Sequence, residues 1–269
     1  MEVAKSVPRI SWKRIGRFYL WFFGGIAVLV VLLIPVIVVA DIVKWRDVRR
    51  ELLPDSSLNI FPQPLPDTSL ISPQGITTLT NSGCSIDLPS PGARVFRGLC
   101  ARLPDGRGIF FDDPAAEFDE AASFRSIKGS TKIFGAATLQ SNYNLLAAAL
   151  DFSPAELTAW PYGHSHERKS YLAIRKSIFV DTHKHQPIYS VAFNNVRGFQ
   201  LGDAKLGNGF VELRMFDSED HQFQLHIGST NPNIAWTQPE INFIIHSMRC
   251  DDAIYNPARQ AWDAKLHLR

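Results

Sequence analysis

The stretch GFVELRMFDSEDHQFQLHIG, residues 209–228, alternates between apolar and polar side chains in each of its two halves. Apolar residues that recur at every second position share one face of a β-strand; here they are Val211, Leu213, Met215, Phe223, Leu225 and Ile227. Four polar residues, Asp217–Asp220, separate the halves and are typical of a turn. The stretch therefore predicts a β-hairpin with strands Gly209–Phe216 and His221–Ile227.

Sequence on either side of this hairpin predicts further strands and helices. The other strand candidates are Cys84–Leu88, Arg94–Leu99, Gly108–Phe111 and Ile188–Val196. Three helices are expected to begin where a capping residue lies just before a proline; these starts are Asp113-Pro114, Ser153-Pro154 and Thr237-Gln238-Pro239-Glu240. Two further helices are expected over Tyr143–Leu150 and Glu167–Phe179. Because strands and helices do not alternate regularly, we expect an α+β fold. It would be an antiparallel sheet flanked by helices, preceded by a single N-terminal transmembrane helix.

The charge of the 269-residue chain is distributed unevenly. Its formal net charge is only +2, but residues 1–50 hold nine Lys and Arg against three acidic residues. The remainder is mildly acidic and shows no cluster of positive charge, so nucleic acid is not an expected partner. An apolar fraction of 45% excludes a disordered chain.

The basic residues flank the uncharged stretch FYLWFFGGIAVLVVLLIPVIVVA, residues 18–40. As a helix it would be about 34 Å long, against a bilayer core of about 30 Å. We expect it to cross the lipid bilayer once, as an uncleaved signal-anchor; cleavage after Val38-Val39-Ala40 is the alternative. The basic tail 1–17 favours a cytoplasmic N-terminus, which would make the C-terminal domain periplasmic or extracellular.

Three further segments follow the predicted span. Residues 41–53 are expected to form a juxtamembrane amphipathic helix, which is either a plain connection or a contact with lipid. Residues 54–75 contain five prolines and predict an extended tether. The globular α+β domain is then expected over residues 76–269.

The cysteines permit two interpretations. Cys84 and Cys100 flank a predicted hairpin. In the chain-entropy treatment, a disulfide between them would stabilise the folded state by about 3 kcal/mol. Two separate buried thiols are the alternative. Cys250 would be left unpaired in either case.

Two histidine pairs are the metal-ligand candidates, His164 with His166 and His183 with His185. Residues at i and i+2 share a face only on a strand, and a zinc site needs three or four converging ligands. A solvated polar loop explains both pairs more simply, and no cofactor is predicted. No recognisable nucleotide-binding or hydrolase motif accompanies them.

Residues 139–249 resemble a group of uncharacterised bacterial single-pass membrane proteins. The likeness lies in SNYNLLAAAL (141–150), the Ser165–Phe179 helix, NNVRGFQLGD (194–203), the hairpin, and TQPEINFIIHSMR (237–249). The order of an opening strand, a late hairpin and a closing helix also looks like the PsbP/Mog1-type sandwich. That likeness implies a binding or assembly module rather than an enzyme.

We therefore expect a membrane-tethered, non-enzymatic domain that binds an envelope protein through its sheet face. One alternative is a metal-dependent hydrolase using His164, His166, His183 and His185. The other is a domain facing the cytoplasm, with its basic helix on anionic lipid.

Overall fold

The computed structural model describes residues 38–47, 49–50, 56–157, 162–181, 186–204, 210–231 and 233–267. The chain divides into two compact units, one holding residues 38–47 and 49–50, which are helical, and the other holding every element named below. Within the described ranges, no helix is both long and apolar enough to cross a membrane. The predicted tail 1–17 and residues 18–37 of the predicted span lie outside those ranges.

An eight-stranded mixed sheet forms the centre of the larger unit. Its strands are β1 (Gln63–Pro64), β4 (Arg94–Phe96), β5 (Cys100–Arg102), β6 (Arg107–Phe111), β7 (Ile188–Phe193), β8 (Val196–Leu201), β9 (Val211–Phe216) and β10 (Gln222–Ser229). They stand in the order β1-β7-β8-β9-β10-β6-β5-β4. Among the described residues, β1 and β7 pair in parallel and all other neighbours pair antiparallel, so the sheet is mixed and not purely antiparallel as predicted.

The predicted hairpin is confirmed as β9 and β10, with Leu213 directly opposite Leu225. Asp217 closes its turn, because one carboxylate oxygen accepts from the backbone N–H groups of Glu219 at 3.0 Å and His221 at 2.9 Å. The predicted strand Ile188–Val196 is instead the hairpin of β7 and β8. The chain reverses at Asn194, whose φ of 49° lies in the left-handed region that Asn tolerates better than most residues.

A second, three-stranded antiparallel sheet has the order β11-β3-β2, with β2 (Thr77–Asn81), β3 (Cys84–Leu88) and β11 (Arg249–Cys250). Cys84 and Cys250 are register partners in this sheet and form a disulfide. The predicted Cys84–Cys100 bond is therefore wrong. Cys100 is a free thiol on β5, in the other sheet.

Six α-helices are described in this unit: α1 (Glu120–Ser126), α2 (Ser130–Phe134), α3 (Asn142–Leu150), α4 (His164–Asp181), α5 (Gln238–His246) and α6 (Asp252–His267). The predicted capping box at Thr237 is confirmed, since Thr237 N–H donates to Glu240 at 2.9 Å. The sites at Asp113 and Ser153 open only single 3₁₀ turns, Pro114–Ala116 and Pro154–Glu156. The fold is thus α+β, with helices on both sheet faces.

Opposite faces of the large sheet pack against different partners. The inner face, which includes Leu213 and Leu225, forms the main core with α5 and the small sheet. The outer face is covered by α3 and α4 over β7, β8 and β9, where Phe199 and Phe216 meet Leu146 and Phe179.

The described part of the predicted tether, residues 56–75, contacts the larger unit at several points. Leu58 is only 1% exposed and packs in the outer-face core with Phe179. Gln63–Pro64 pairs with β7, and Asn242 donates to the carbonyls of Asp67 at 2.8 Å and Ser69 at 2.9 Å. Proline removes hydrogen-bond donors, but the apolar residues between the prolines still gain from burial.

Candidate functional site

The outer face of the large sheet carries an exposed aromatic row over β4, β5, β6 and β10. Phe96 is opposite Cys100, Cys100 is opposite Phe110, and Phe110 is opposite His226. Directly paired residues project to the same face, so these four side chains form one continuous row. Phe96 is 52% exposed and Phe110 is 39% exposed. We call this row, with the arginines beside it, the open sheet face.

Three arginines surround the row. Arg94 and Arg102 are opposite each other in β4 and β5, on the same side of the sheet as Phe96, and Arg97 follows β4. All three are exposed, and no described carboxylate lies within ion-pair distance of them. A cavity of about 540 Å³ is lined partly by Arg94, Phe96 and Arg102. The open sheet face therefore combines apolar area with positive charge.

The β4 strand is an edge of the large sheet. Within the part of the chain that the structure describes, it pairs with β5 on one side only, and all three of its residues are exposed. The outer side of such a strand presents backbone N–H and C=O groups that an extended segment of another chain can bind.

His226 connects the aromatic row to two carboxylates, one of them buried. Its Nε2 lies 3.3 Å from Asp112 Oδ2, and its Nδ1 lies 3.9 Å from Glu212 Oε2. Its ring centroid is 6.2 Å from that of Phe110. The hydrogen bond with Asp112 and the nearby carboxylate charges raise the pKa of His226 above its usual 6.5, against the opposing effect of burial.

A polar cleft of about 300 Å³ lies where α1 and α6 meet the β9–β10 turn, and its lining includes Glu117, Asp119, Asp220 and His221. Two of these acids cap helices: Asp119 accepts from Ala122 N–H, and Asp220 accepts from Asn142 N–H at 2.7 Å. Burial raises the pKa of both Glu117 and Asp220. The capping bonds give Asp119 and Asp220 a structural role at this cleft.

His221 lies at the buried end of the cleft, between two carboxylates. Nδ1 is 2.8 Å from Asp217 Oδ2, and Nε2 is 3.3 Å from Asp252 Oδ1. Burial lowers the pKa of His221. The hydrogen bond with Asp217 and the charges of Asp217 and Asp252 raise it by more, so the pKa stays above 6.5. The Cys84–Cys250 disulfide lies beside this pair, because ligand atoms of Asp217, His221 and Cys250 all lie within 4.8 Å of one another.

Two of the four histidines predicted as metal ligands, His164 and His166, lie outside this cluster. His164 and His166 stand in the first turn of α4, where residues two apart point to different sides. His164 faces Glu167 at 3.5 Å, and His166 Nε2 lies 3.2 Å from Ser170 Oγ. His183 and His185 lie outside the described residues.

Sequence reasoning missed both groups of residues for the same reason. The sequence predicts the strands that hold Phe96 and Phe110 and the hairpin that holds Asp217 and His221. No pattern in it indicates that β6 pairs with β5 and β10, or that β11 pairs with β3. The only signal for the second group was a histidine four residues after an aspartate at that turn.

No protein-family model, curated protein or solved structure matches this chain. The likenesses to bacterial single-pass membrane proteins and to the PsbP/Mog1-type fold therefore stay predictions.

Proposed function

We propose that the chain is a single-pass, membrane-anchored binding module whose domain lies outside the cytoplasm and holds an acidic segment of an envelope protein on the open sheet face. The observation that carries the proposal is the set of three exposed arginines, without a described carboxylate partner, beside two exposed phenylalanines. Interfaces favour arginine and aromatic residues, because both bury a large contact area.

The charge of the face selects the class of partner. Arg94, Arg97 and Arg102 would repel a basic segment and attract an acidic one. The free edge of β4 adds main-chain hydrogen bonds for an extended segment, while Phe96 and Phe110 supply apolar contact. A carboxylate from the partner would give each arginine the ion pair that it lacks among the described residues.

The disulfide supports the extracytoplasmic location. Structural disulfides persist in oxidising compartments and are rare in the cytosol. Cys84 is fully buried, and its bond to Cys250 joins β3 to β11. A reporter that is active on only one side of the membrane, fused after Arg269, tests this location directly. Activity outside the cytoplasm is expected, and activity inside would contradict this part of the proposal.

Photocrosslinking tests the binding face in intact cells. A photoreactive residue at Phe96 or Phe110 of the full chain is expected to form an adduct that maps to an acidic segment of one envelope protein. The same residue at Ile178 is the control, because Ile178 is 62% exposed but lies on α4, away from the open sheet face. Equal adducts at Ile178, or adducts on basic segments, would overturn the proposal.

Charge reversal distinguishes ionic recognition from nonspecific hydrophobic association. The pair Arg94→Glu and Arg102→Glu is expected to abolish the Phe110 adduct, whereas Arg168→Glu on α4 should leave it unchanged. Raising the salt concentration should weaken the adduct, since exposed ion pairs are screened. An adduct that survives both charge reversal and salt would count against an acidic partner.

A further inference from the structure

The hairpin turn and the small sheet bring three different metal-binding groups together. Ligand atoms of Asp217, His221 and Cys250 lie within 4.8 Å of one another. Cys84 is bonded to Cys250, so a second sulfur lies next to this group. Asp217 and His221 are 9% and 7% exposed and Cys250 is half-buried, so most of the cluster is shielded from solvent.

We propose that Cys84, Cys250, His221 and Asp217 form a tetrahedral zinc site when the disulfide is reduced. Two thiolates, one imidazole and one carboxylate are a ligand set that Zn²⁺ accepts. The disulfide and the metal are alternative ways of joining the small sheet to the hairpin turn.

His221 and Asp217 lie close to the separation that a shared zinc ion requires. Nitrogen and oxygen ligands of a tetrahedral zinc lie about 3.4 Å apart, and two sulfur ligands about 3.8 Å apart. His221 Nδ1 and Asp217 Oδ2 are 2.8 Å apart, so they need only a small separation to admit the ion in place of the shared proton. The sulfurs of Cys84 and Cys250 separate once their bond is broken.

The surroundings already supply the outer partners that a metal-binding histidine requires. With Nδ1 on the metal, Nε2–H is left to donate to Asp252 Oδ1, 3.3 Å away. Asp217 is held through its other oxygen by the N–H groups of Glu219 and His221. The ring of Tyr255 packs against His221 with centroids 4.2 Å apart, which fixes the imidazole plane.

The chemical step begins with reduction. A dithiol transfers two electrons to the Cys84–Cys250 bond and leaves as its own cyclic disulfide, so both cysteines become thiols. Zinc binding then displaces both thiol protons and the proton shared by His221 and Asp217. In the reverse step the two thiolates pass two electrons to a cyclic disulfide, which takes up two protons and becomes a dithiol, so the Cys84–Cys250 bond reforms and the ion is released.

Metal content of the full-length protein tests the site. The chain is reduced with excess dithiothreitol, desalted without oxygen, mixed with Zn²⁺ and passed through a gel-filtration column. Stoichiometric zinc is expected in the reduced protein and none in the oxidised protein. Absence of stoichiometric zinc from the reduced wild type would overturn the proposal, and so would zinc that remains bound after reoxidation. These zinc contents are measured on the wild-type protein and therefore do not depend on how a variant folds.

Variants then test the ligand set. Cys250→Ser and His221→Ala are expected to lose bound zinc, and to lose the thiolate charge-transfer absorption when Co²⁺ replaces zinc. Cys100→Ser and His226→Ala are the matched controls, because they remove the free cysteine and a half-buried histidine that also faces carboxylates. Zinc retained by the first two variants, or lost from the controls, would overturn the assignment.

Discussion

Cys84 and Cys250 stand opposite each other in β3 and β11 and are joined by a disulfide, although 166 positions separate them in the chain. The bond closes a loop that holds seven of the eight strands described in the large sheet. In the chain-entropy treatment, the closing of a loop of that length stabilises the folded state by about 5 kcal/mol. The domain therefore depends on a covalent link between β3 and β11.

Removal of this bond is expected to destabilise the domain strongly. The double substitution Cys84→Ala and Cys250→Ala should lower the free energy of unfolding by about 2–5 kcal/mol, as measured by urea denaturation. Cys100→Ala is the control and should change it by less than about 1 kcal/mol, because Cys100 is a half-buried free thiol. An equal loss in the control would mean that Cys100 is bonded in solution.

The contrast between hairpin and disulfide shows which features the sequence can predict. The β9–β10 hairpin is local, so alternation and a polar turn indicated both its strands and their pairing. The disulfide depends on β11, a strand of only two residues that pairs with β3 across most of the chain. Cys100 is much nearer than Cys250 to Cys84 in the sequence, which favours it as the disulfide partner. The pairing of β11 with β3 instead places Cys250 opposite Cys84.

The open sheet face was beyond sequence reasoning for a similar reason. Its row of side chains exists only because β10 pairs with β6, which brings His226 beside Phe110. The segment 54–75 shows a second limit, because its proline content predicts an extended backbone but not whether that backbone packs against the domain. Leu58 is buried, and Gln63–Pro64 adds a parallel strand.

Gly198, in β8, is expected not to tolerate a side chain. A Cβ atom there would overlap the Arg214 carbonyl oxygen and lie 2.7 Å from Met215 Cα, both backbone atoms of the neighbouring strand. Gly198→Ala should therefore destabilise the domain by about 3 kcal/mol or more, measured by thermal unfolding. Gly108→Ala is the matched control, since its nearest contact would be an ordinary 3.6 Å. Similar losses in both variants would contradict the steric explanation.

His226 is expected to contribute stability that depends on pH. Its pKa is raised in the folded state, chiefly by the hydrogen bond with Asp112, so the folded chain holds this proton more tightly than the unfolded chain. The contribution is therefore complete below about pH 6.5 and disappears as the pH rises through the folded pKa. NMR titration of the imidazole should show a pKa above 6.5 that falls in Asp112→Asn. An unchanged pKa in that variant would remove Asp112 as the cause.

Lys176 is expected to give the domain an opposite pH dependence at alkaline pH. Its side chain is fully buried, donates to the Phe152 carbonyl at 2.9 Å and lies 4.1 Å from the Phe61 ring. Burial lowers its pKa from 10.5 to about 8, so between these values the unfolded chain binds the proton more tightly. The free energy of unfolding should therefore rise with pH across this range, by at most about 1.4 kcal/mol per pH unit from this group. Urea denaturation should show that the free energy of unfolding of wild type, minus that of Lys176→Met, grows as the pH rises. The control Lys132→Met replaces an exposed lysine, and its free energy of unfolding should follow that of wild type at a constant offset. A constant difference for Lys176→Met would mean that Lys176 keeps its proton throughout, stabilised by the Phe152 carbonyl and the Phe61 ring.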